Sequence, residues 1–481
     1  MESSVPSVAF ATLGCKVNQY DTQALQELFA RQGFRVVPFE GPADVYVVNT
    51  CAVTGEGERQ SRQVVRRAVR RSGGGAAVVV TGCLAQLPTS RLASIPGVAA
   101  VVGTQRRAAV VEAAQAWLAG RRGHAPERPG LSDGAGSAPA PAPAVAASRG
   151  RPRGPYEELG VESFTGRSRA VVKVQDGCDE MCTFCVVPFT RGVSRSRAPQ
   201  AVVEEVRRLV ERGYRELVLS GVHLGSYGED LPRRTNLVEL LMQLEELPGP
   251  FRLRLSSLLP SSLSPQLVDW WGASRRLCPH IHLSLQSGDD GVLAAMGRSY
   301  TADWVREAVA ALRRRRPDLS VSADVIVGFP GESERAFAAT AQLVDELEVA
   351  RLHVFPYSPR PFTAAARLPD DVPARVKRER VRELVQVAER AALRYHRRLV
   401  GHLVQVLVED GPPGPAVHGV DEHYVRVQLR LHQGLSFPGE PARPQPGQLV
   451  AARVVEAGTH RVEAVCLPAA GEPPQQQQQQ P

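Results

Sequence analysis

Three of the chain's eight cysteines lie in one short stretch, "GCDEMCTFCVVPF", which runs from Gly177 to Phe189. Cys178, Cys182 and Cys185 follow a C-x3-C-x2-C spacing. Cysteine thiolates hold iron–sulfur clusters, and three of them leave one iron of a 4Fe–4S cluster without a protein ligand. Catalytic metal centres keep such an open position, whereas structural ones are closed. The spacing therefore predicts a 4Fe–4S cluster whose fourth iron is free to bind a substrate or a cofactor.

Three further cysteines, Cys15, Cys51 and Cys83, each follow a strand-like apolar run, in "VAFATLGC", "VYVVNTC" and "AVVVTGC". A helix-like segment comes after each cysteine, as in the βα units of a parallel sheet. Ligand sites in such sheets gather at the carboxyl ends of the strands, so we expect these thiols to converge. Buried structural thiols are the alternative. A zinc site with histidine is disfavoured because no histidine precedes His124, and a second iron–sulfur cluster fits better.

A zinc site elsewhere stays open as an alternative. Compact C-x-x-C elements also bind zinc, but they usually need a second pair of ligands. Cys278 has His280 and His282 beside it in "CPHIHLSLQ", which allows a mixed site in principle. A packed core thiol explains Cys278 equally simply.

The elements that must position these cysteines divide an α/β chain into three blocks. Residues 5–119 predict a parallel-sheet domain with its cysteines at strand ends. Residues 120–160 are rich in Pro, Ala and Gly and predict a disordered linker. Residues 164–395 alternate strand-like and helix-like segments, and 396–467 hold short β-rich runs that suggest a small barrel. The Gln-rich tail, 468–481, is predicted to be disordered.

Composition limits the location and the partners of the protein. The N-terminus lacks the basic and apolar regions of a signal peptide, and no uncharged run is apolar enough to span a membrane. These two features predict a cytoplasmic protein, in which thiols stay reduced. The formal net charge is +8, with a pI near 9.2, which suits a polyanionic partner. Nearly all basic residues are arginines, which also fits a bias in genomic composition.

Several motifs together resemble the methylthiotransferases, a family of radical S-adenosylmethionine (SAM) enzymes with two 4Fe–4S clusters. They are "TLGCKVNQYDT", "NTCAVTGEGE", "VTGCLAQ", "GCDEMCTFCVVPFTRGVSRSR", "CPHIHLSLQSGDDGVLAAMGRSY", "DVIVGFPGE" and "VFPYSPR". The resemblance covers nearly the whole chain except the linker and the tail. It implies an N-terminal cluster domain, a central partial TIM-like radical SAM barrel and a C-terminal TRAM domain, which coincide with the three blocks.

The resemblance also implies roles for individual residues. Cys15, Cys51 and Cys83 would hold the cluster associated with the transferred sulfur, and Cys178, Cys182 and Cys185 the cluster that cleaves SAM. SAM contacts are implied at two strand ends, for Gln286, Ser287, Gly288, Asp324, Gly328 and Glu332. The chain departs from the family in two places. The Gly-Gly-Glu triplet that many radical enzymes place against the methionyl amine is absent, and Phe362 stands where glycine is expected.

The runs "GCKVNQYDT" and "FTGRSRAVVKVQDGCD" most resemble the branch that acts on N6-threonylcarbamoyladenosine beside the tRNA anticodon. The implied reaction replaces the C2–H of that base with a methylthio group and needs an electron donor and a sulfur source. RNA contacts are predicted at Arg191, Arg195, Arg197 and Tyr424, and a basic helix-like run, Arg59 to Arg71, adds charge. The alternatives are the same chemistry on isopentenyladenosine or on a ribosomal-protein aspartate, and a non-enzymatic RNA-binding protein stabilised by metal.

Overall fold

The structure is a computed structural model that describes residues 5–122, 144–146, 151–164, 166–411, 416–430 and 443–467. None of the helices in these ranges is both long enough and apolar enough to cross a membrane.

A six-stranded, fully parallel sheet forms the N-terminal part, in the order β2-β1-β3-β4-β5-β6. Its central strands β3 and β4 are runs of mostly Val that are buried along their whole length, as expected for a sheet covered on both faces. The strands are β1 (Ser7–Thr12), β2 (Arg35–Val37), β3 (Val45–Thr50), β4 (Ala77–Gly82), β5 (Ala100–Val102) and β6 (Ala144–Ala146). The helices are α1 (Lys16–Arg31), α2 (Gly55–Ser72), α3 (Cys83–Gln86) and α4 (Ala109–Arg122).

The central part is a curved, parallel half-barrel. Two three-stranded sheets, β11-β10-β7 and β12-β13-β14, are joined by single bridges at Leu253–Leu277 and Leu258–Leu283. Its strands, with the small β8–β9 pair, are β7 (Ala170–Lys173), β8 (Gln175–Asp176), β9 (Arg195–Ser196), β10 (Glu216–Ser220), β11 (Arg252–Leu255), β12 (His280–Gln286), β13 (Ser320–Val327) and β14 (Val349–Pro356). The predicted partial TIM-like barrel is confirmed.

Helices surround the half-barrel and share its main hydrophobic core. They are α6 (Pro199–Glu211), α7 (Leu237–Glu245), α8 (Pro265–Ala273), α9 (Asp290–Ala295), α10 (Ala302–Arg315), α11 (Glu334–Glu346) and α12 (Ala374–Leu399). The short helix α5 (Val187–Arg191) instead packs against α3 of the N-terminal part. Side-chain caps begin several of them; for example, Asp289 accepts a hydrogen bond from Val292 N at the start of α9.

The C-terminal part is a closed five-stranded barrel, β15-β16-β17-β19-β18, as predicted for a TRAM-like domain. Its strands are β15 (Leu403–Glu409), β16 (Val417–Val420), β17 (Arg426–Arg430), β18 (Leu449–Ala457) and β19 (Val462–Cys466). Buried arginines of β11 fix it to the half-barrel: Arg252 donates to Gln405 O (2.6 Å), and Arg254 donates to Asp421 O (3.1 Å). Both arginines also pair with buried Glu216.

A second ionic contact joins the barrel to the half-barrel at His423. Its Nε2 lies 3.4 Å from Asp318 Oδ2, and its Nδ1 lies 3.3 Å from Asp421 Oδ2. Burial lowers the pKa of His423, but the hydrogen bonds to the two aspartates outweigh it and raise the pKa to about 10. At neutral pH, His423 is therefore a buried cation between two carboxylates.

The linker prediction for 120–160 is wrong in part. Residues 144–146 add strand β6 to the sheet, because a short Ala/Val run pairs in parallel with β5. Residues 151–160 contact both the central and the N-terminal part: Arg151 donates to Cys178 O (2.8 Å), and Glu157 accepts from Arg107 (2.9 Å), which lies between β5 and α4. Residues 123–143 and 147–150 of that segment, and the predicted disordered tail 468–481, lie outside the described residues.

Candidate active site

The first three cysteines follow three neighbouring strands of the N-terminal sheet. Cys15 precedes α1 after β1, Cys51 comes directly after β3, and Cys83 begins α3 after β4. Because β1, β3 and β4 are adjacent in the sheet, the thiols meet at one edge, as the repeated pattern predicted. Burial and then the neighbouring Cys83 raise the pKa of Cys51 to about 12, with a smaller contribution from Cys15.

Buried polar groups hold these strand ends together. Asn18 donates to Leu13 O (2.7 Å) after β1 and to Thr50 O (3.1 Å) at the end of β3. Gly82 has a φ of +94°, and a Cβ there would lie 2.3 Å from Asn49 Oδ1, so only glycine fits before Cys83. The positions of the three thiols are thus fixed by the backbone.

The second triad lies in the loop that follows β8. Gly177 allows this loop to begin, because a Cβ there would lie 1.9 Å from Val193 O. Thr183 then anchors the loop by donating to Met296 O (3.0 Å) and Ala295 O (2.8 Å). Burial, with smaller contributions from neighbouring cysteines, raises the pKa of Cys178 to about 11 and that of Cys185 to about 12.

Each triad has the donor chemistry of a cationic metal centre. Thiols that are buried together resist ionisation because each thiolate would add negative charge beside the others. A bound metal reverses this, because it stabilises the thiolates and lowers their pKa. Both triads therefore fit an iron–sulfur cluster held by three cysteines.

Both triads face one cavity of about 1130 Å³. Cys15 and Cys51 line one wall, and Cys178, Cys182 and Cys185 line another, while Glu409, Asp410 and Tyr424 of the C-terminal barrel close a third. Cys83 lies beside Cys51 without lining the cavity. The volume is slightly above the usual range for small-molecule sites, so it accommodates a cofactor together with a substrate group.

Only two of the six residues predicted to contact SAM line this cavity, Gln286 at the end of β12 and Asp324 in β13. Ser287 and Gly288 instead pack on α11, where Gly288 N donates to Thr340 Oγ1 (2.9 Å). A Cβ at Gly288 would lie 2.7 Å from Thr340 Cα, so this glycine serves close packing.

Gly328 and Glu332 also lie away from the cavity lining. Gly328 N donates to Glu332 Oε2 (2.6 Å), and the same carboxylate accepts from Arg380 (2.7 Å) in α12. These two residues close the loop after β13. Ser287, Gly288, Gly328 and Glu332 thus have packing and loop roles in the described structure, and their contact with SAM stays a prediction.

Arg191, Arg195 and Arg197, which were predicted to contact RNA, all have buried side chains, which disfavours direct contact with RNA. Arg191 is hydrogen-bonded to Asp176, Asn18 and Asp21 and donates through Nε to Cys83 Sγ (3.3 Å). Arg195 donates to Arg191 O (2.6 Å), and Arg197 pairs with Glu158 and Glu205. Carboxylates of the protein therefore pair with Arg191 and Arg197, and a backbone carbonyl accepts from Arg195.

Tyr424 lines the cavity, but its ring lies against three guanidinium groups. Arg254, Arg351 and Arg169 place Cζ at 4.8, 5.1 and 5.3 Å from the ring centroid. Burial raises the pKa of Tyr424, but these cations and Lys16 outweigh it, so the pKa is lowered. Stacking of Tyr424 on an RNA base stays a prediction.

The sequence did not single out a cluster on three adjacent strands of the half-barrel. Asp324 Oδ1 lies 3.0 Å from His282 Nε2 and 2.9 Å from His353 Nδ1, and all three residues line the cavity. Burial raises the pKa of Asp324, but the two histidines outweigh it and hold the pKa well below its usual range. Asp324 pairs with His353 in the register of β13 and β14, and His282 of β12 pairs with Ser322, two residues before Asp324, which the separate motifs do not reveal.

The alternative zinc site does not form. His282 turns to Asp324, whereas His280 Nε2 lies 2.8 Å from Ser322 Oγ. Cys278 is buried, and its carbonyl accepts from Trp271 Nε1 (3.2 Å). Cys278 is thus a packed core thiol.

Two family models match the chain. One is described as uncharacterized protein family UPF0004 and covers residues 7–103, and the radical SAM superfamily covers residues 172–344. Among solved structures, the radical SAM methyltransferase TsrM from Kitasatospora setae aligns with a TM-score of 0.50 and 15% identity, over 85% of this chain and 79% of that one. At that identity the likeness concerns the fold alone.

Curated relatives match over most of their length. The threonylcarbamoyladenosine tRNA methylthiotransferase MtaB of Bacillus subtilis is 40% identical over 84% of this chain and 85% of its own, and that of Thermotoga maritima is 37% identical over 88% and 91%. The ribosomal protein uS12 methylthiotransferase RimO of Desulforudis audaxviator is 34% identical over 96% and 97%.

The fold, the C-x3-C-x2-C loop and the superfamily match define a radical SAM enzyme, a class that uses SAM and a 4Fe–4S cluster. Within this class, the chain belongs to the methylthiotransferase family, whose members transfer sulfur and a methyl group.

Proposed function

We propose that the chain converts N6-threonylcarbamoyladenosine in tRNA into its 2-methylthio derivative. The observation that carries the proposal is the shared cavity, which five of the six triad cysteines line. A site for SAM cleavage and a site for sulfur therefore face the same substrate space. The Bacillus subtilis and Thermotoga maritima relatives named for threonylcarbamoyladenosine are 40% and 37% identical, against 34% for the relative named for uS12, which favours this substrate.

In this proposal, Cys178, Cys182 and Cys185 hold the 4Fe–4S cluster that binds SAM, and Cys15, Cys51 and Cys83 hold a second one. When bound, cluster and SAM supply a 5′-deoxyadenosyl radical, which suits an aromatic C–H that offers no acidic proton to a base. The burial and mutual proximity of the thiols support both clusters.

Arg298 is the residue best placed to bind the carboxylate of SAM. It lines the cavity, and its positive charge acts on both Cys182 and Cys185. Its Nε is buried without a hydrogen-bond partner in the described residues, so a ligand carboxylate would satisfy it. Gln286, with a φ of 66° at the end of β12, presents a polar group to the same space.

The tRNA would lie against helix α2, whose first turns line the cavity through Glu56, Gly57 and Gln60. Further along α2, Arg66 and Arg70 are exposed and free of acidic partners in the described part of the chain. Such cations bind phosphates and replace the buried arginines as RNA contacts. The reaction also requires an electron donor and a sulfur source.

The test is a methylthiolation assay without oxygen. The holoenzyme is incubated with SAM, reductant and anticodon stem–loop RNA that carries threonylcarbamoyladenosine or isopentenyladenosine. Nucleoside mass spectrometry should find the 2-methylthio product with the first RNA only. Product only with the second RNA would overturn the assigned substrate.

A further inference from the structure

A group of cations lies on the cavity wall where α1, β7, β14 and the C-terminal barrel meet. Lys16, Arg169 and Arg351 all line the cavity around Tyr424. Arg169 is paired with Glu409 (2.6 Å). Lys16 and Arg351 have no acidic partner in the parts of the chain that the structure describes. Two positive charges therefore face the cavity without a counter-ion from the protein.

The surroundings do not neutralise these two charges. Of the acidic groups at this wall, Glu216 is buried against Arg252 and Arg254, and Glu409 binds Arg169. Asp410 also lines the cavity, but it is exposed and forms no ion pair with Lys16 or Arg351 in the described residues. The Tyr424 ring holds Arg351 in place, with Cζ 5.1 Å from its centroid. Half-buried, unpaired cations favour an anionic ligand, because a charge-assisted hydrogen bond to the ligand offsets the free energy lost when the cations are desolvated.

We propose that Lys16 and Arg351, beside the Tyr424 hydroxyl, bind the carboxylate of the threonylcarbamoyl substituent. This inference rests on the proposed function, because it concerns the substrate of the same cavity. The threonylcarbamoyl group carries one carboxylate at neutral pH, whereas an isopentenyl group is apolar. The site thus selects its substrate by charge, since an apolar substituent would leave two desolvated cations unpaired.

Two other anions compete for this assignment. The first is the carboxylate of SAM. We assign it to Arg298 and not to Lys16 or Arg351, because Arg298 lies beside Cys182 of the triad proposed to bind SAM. A backbone phosphate of the RNA would also fit a cation pair, but every RNA carries phosphates, so such a contact would not depend on the substituent. Lys16 directly follows Cys15, which puts the anion site on the side of the first triad.

The experiment measures binding of three anticodon stem–loop RNAs to the holoenzyme, by fluorescence anisotropy without oxygen. The modified adenosine carries threonylcarbamoyl, its neutral carboxamide, or no substituent. For the wild type, we expect the carboxylate RNA to bind about 10- to 100-fold more tightly than the carboxamide RNA. In Arg351→Gln, this ratio should fall to within about threefold, with the affinity for the carboxamide RNA retained.

Arg314→Gln is the matched control, because it removes one charge from an exposed helix end away from the cavity and should keep the wild-type ratio. Equal loss of affinity for all three RNAs in Arg351→Gln would mean a phosphate contact and would overturn the inference. A wild type without preference for the carboxylate would overturn it even if the variant fails to fold. The proposed function fails separately, if the wild type does not methylthiolate threonylcarbamoyladenosine RNA.

Discussion

Replacing Arg191 by methionine tests the role of the buried ionic network beneath the first triad. Arg191 joins the central part of the chain to the N-terminal sheet domain. Its guanidinium bonds to Asp176 (2.9 Å) and Asp21 (2.9 Å), to Asn18 (2.5 Å) and to the Cys83 thiol (3.3 Å). Methionine keeps much of the volume but removes the charge and every donor.

The expected cost follows from the burial of the site. Arg191 is 2% exposed, and Asp21 and Asp176 are 4% and 2% exposed. Arg107 and Lys173 would remain as cations for the two carboxylates. Breaking a buried ion pair by removing one partner costs roughly 3–5 kcal/mol, so we expect about 4 kcal/mol here. Arg191→Lys should cost about 1–3 kcal/mol, because one ammonium cannot reach all four acceptors.

Native-state hydrogen exchange measures the loss of stability around Arg191 locally. It does not require the assumption that a multidomain chain unfolds in two states. Opening free energies of peptides from α1, α3 and α5 should fall by the stated amounts, while those of the C-terminal barrel stay unchanged. Iron content is measured in parallel, because lost metal would also lower stability. A change below about 1 kcal/mol in Arg191→Met, together with weaker tRNA binding, would refute the structural role and restore the RNA-contact prediction.

Three further outcomes are expected. Cys182→Ala should abolish SAM cleavage, measured as 5′-deoxyadenosine formation, and should lower the iron content by about half. Full iron retention would contradict the assigned ligands. Arg66→Glu with Arg70→Glu should weaken tRNA binding at least about tenfold and flatten its salt dependence, and an unchanged salt slope would exclude α2 from the interface. The folded pKa of His423 is raised to about 10, so its stabilising contribution is complete below about pH 6.5 and is lost as the pH rises towards 10. The difference in the free energy of unfolding by urea between wild type and His423→Gln should therefore shrink between pH 6.5 and 10. A constant difference would contradict the assigned role of His423.

The sequence was sufficient to predict the three-part α/β architecture and the meeting of distant cysteines. Cys15, Cys51 and Cys83 each follow a strand of the same parallel sheet, and the order of such strands brings their ends together. The alternation of strands and helices predicted an α/β block, and the short β-rich runs a small barrel, whereas the partial TIM-like barrel was implied by the family resemblance. These features depend on local periodicity, which a single sequence displays.

The burial of polar side chains was not predictable in the same way. Arg191, Arg195 and Arg197 look like an exposed basic run, but carboxylates from distant segments, such as Asp21 and Glu205, cover them. The sequence also did not show that motif residues serve packing, as Gly288 does against α11 and Glu332 does in the loop after β13.

Which further residues meet in the cavity wall depends on the register of the strands. The cluster of His282, Asp324 and His353 depends on how three strands pair, with Asp324 opposite His353 and His282 opposite Ser322, and each strand alone gives no sign of it. The glycine expected at Phe362 has a physical basis, since its φ of 70° lies in the left-handed region.

Mössbauer spectroscopy with iron and sulfide analysis of oxygen-protected protein tests the central claim most directly. Two triads that each hold a cubane predict about eight iron and eight sulfide per chain, all in 4Fe–4S clusters, and about four of each in Cys51→Ala. A wild-type spectrum with a single cluster, or zinc in place of the second one, would contradict the account.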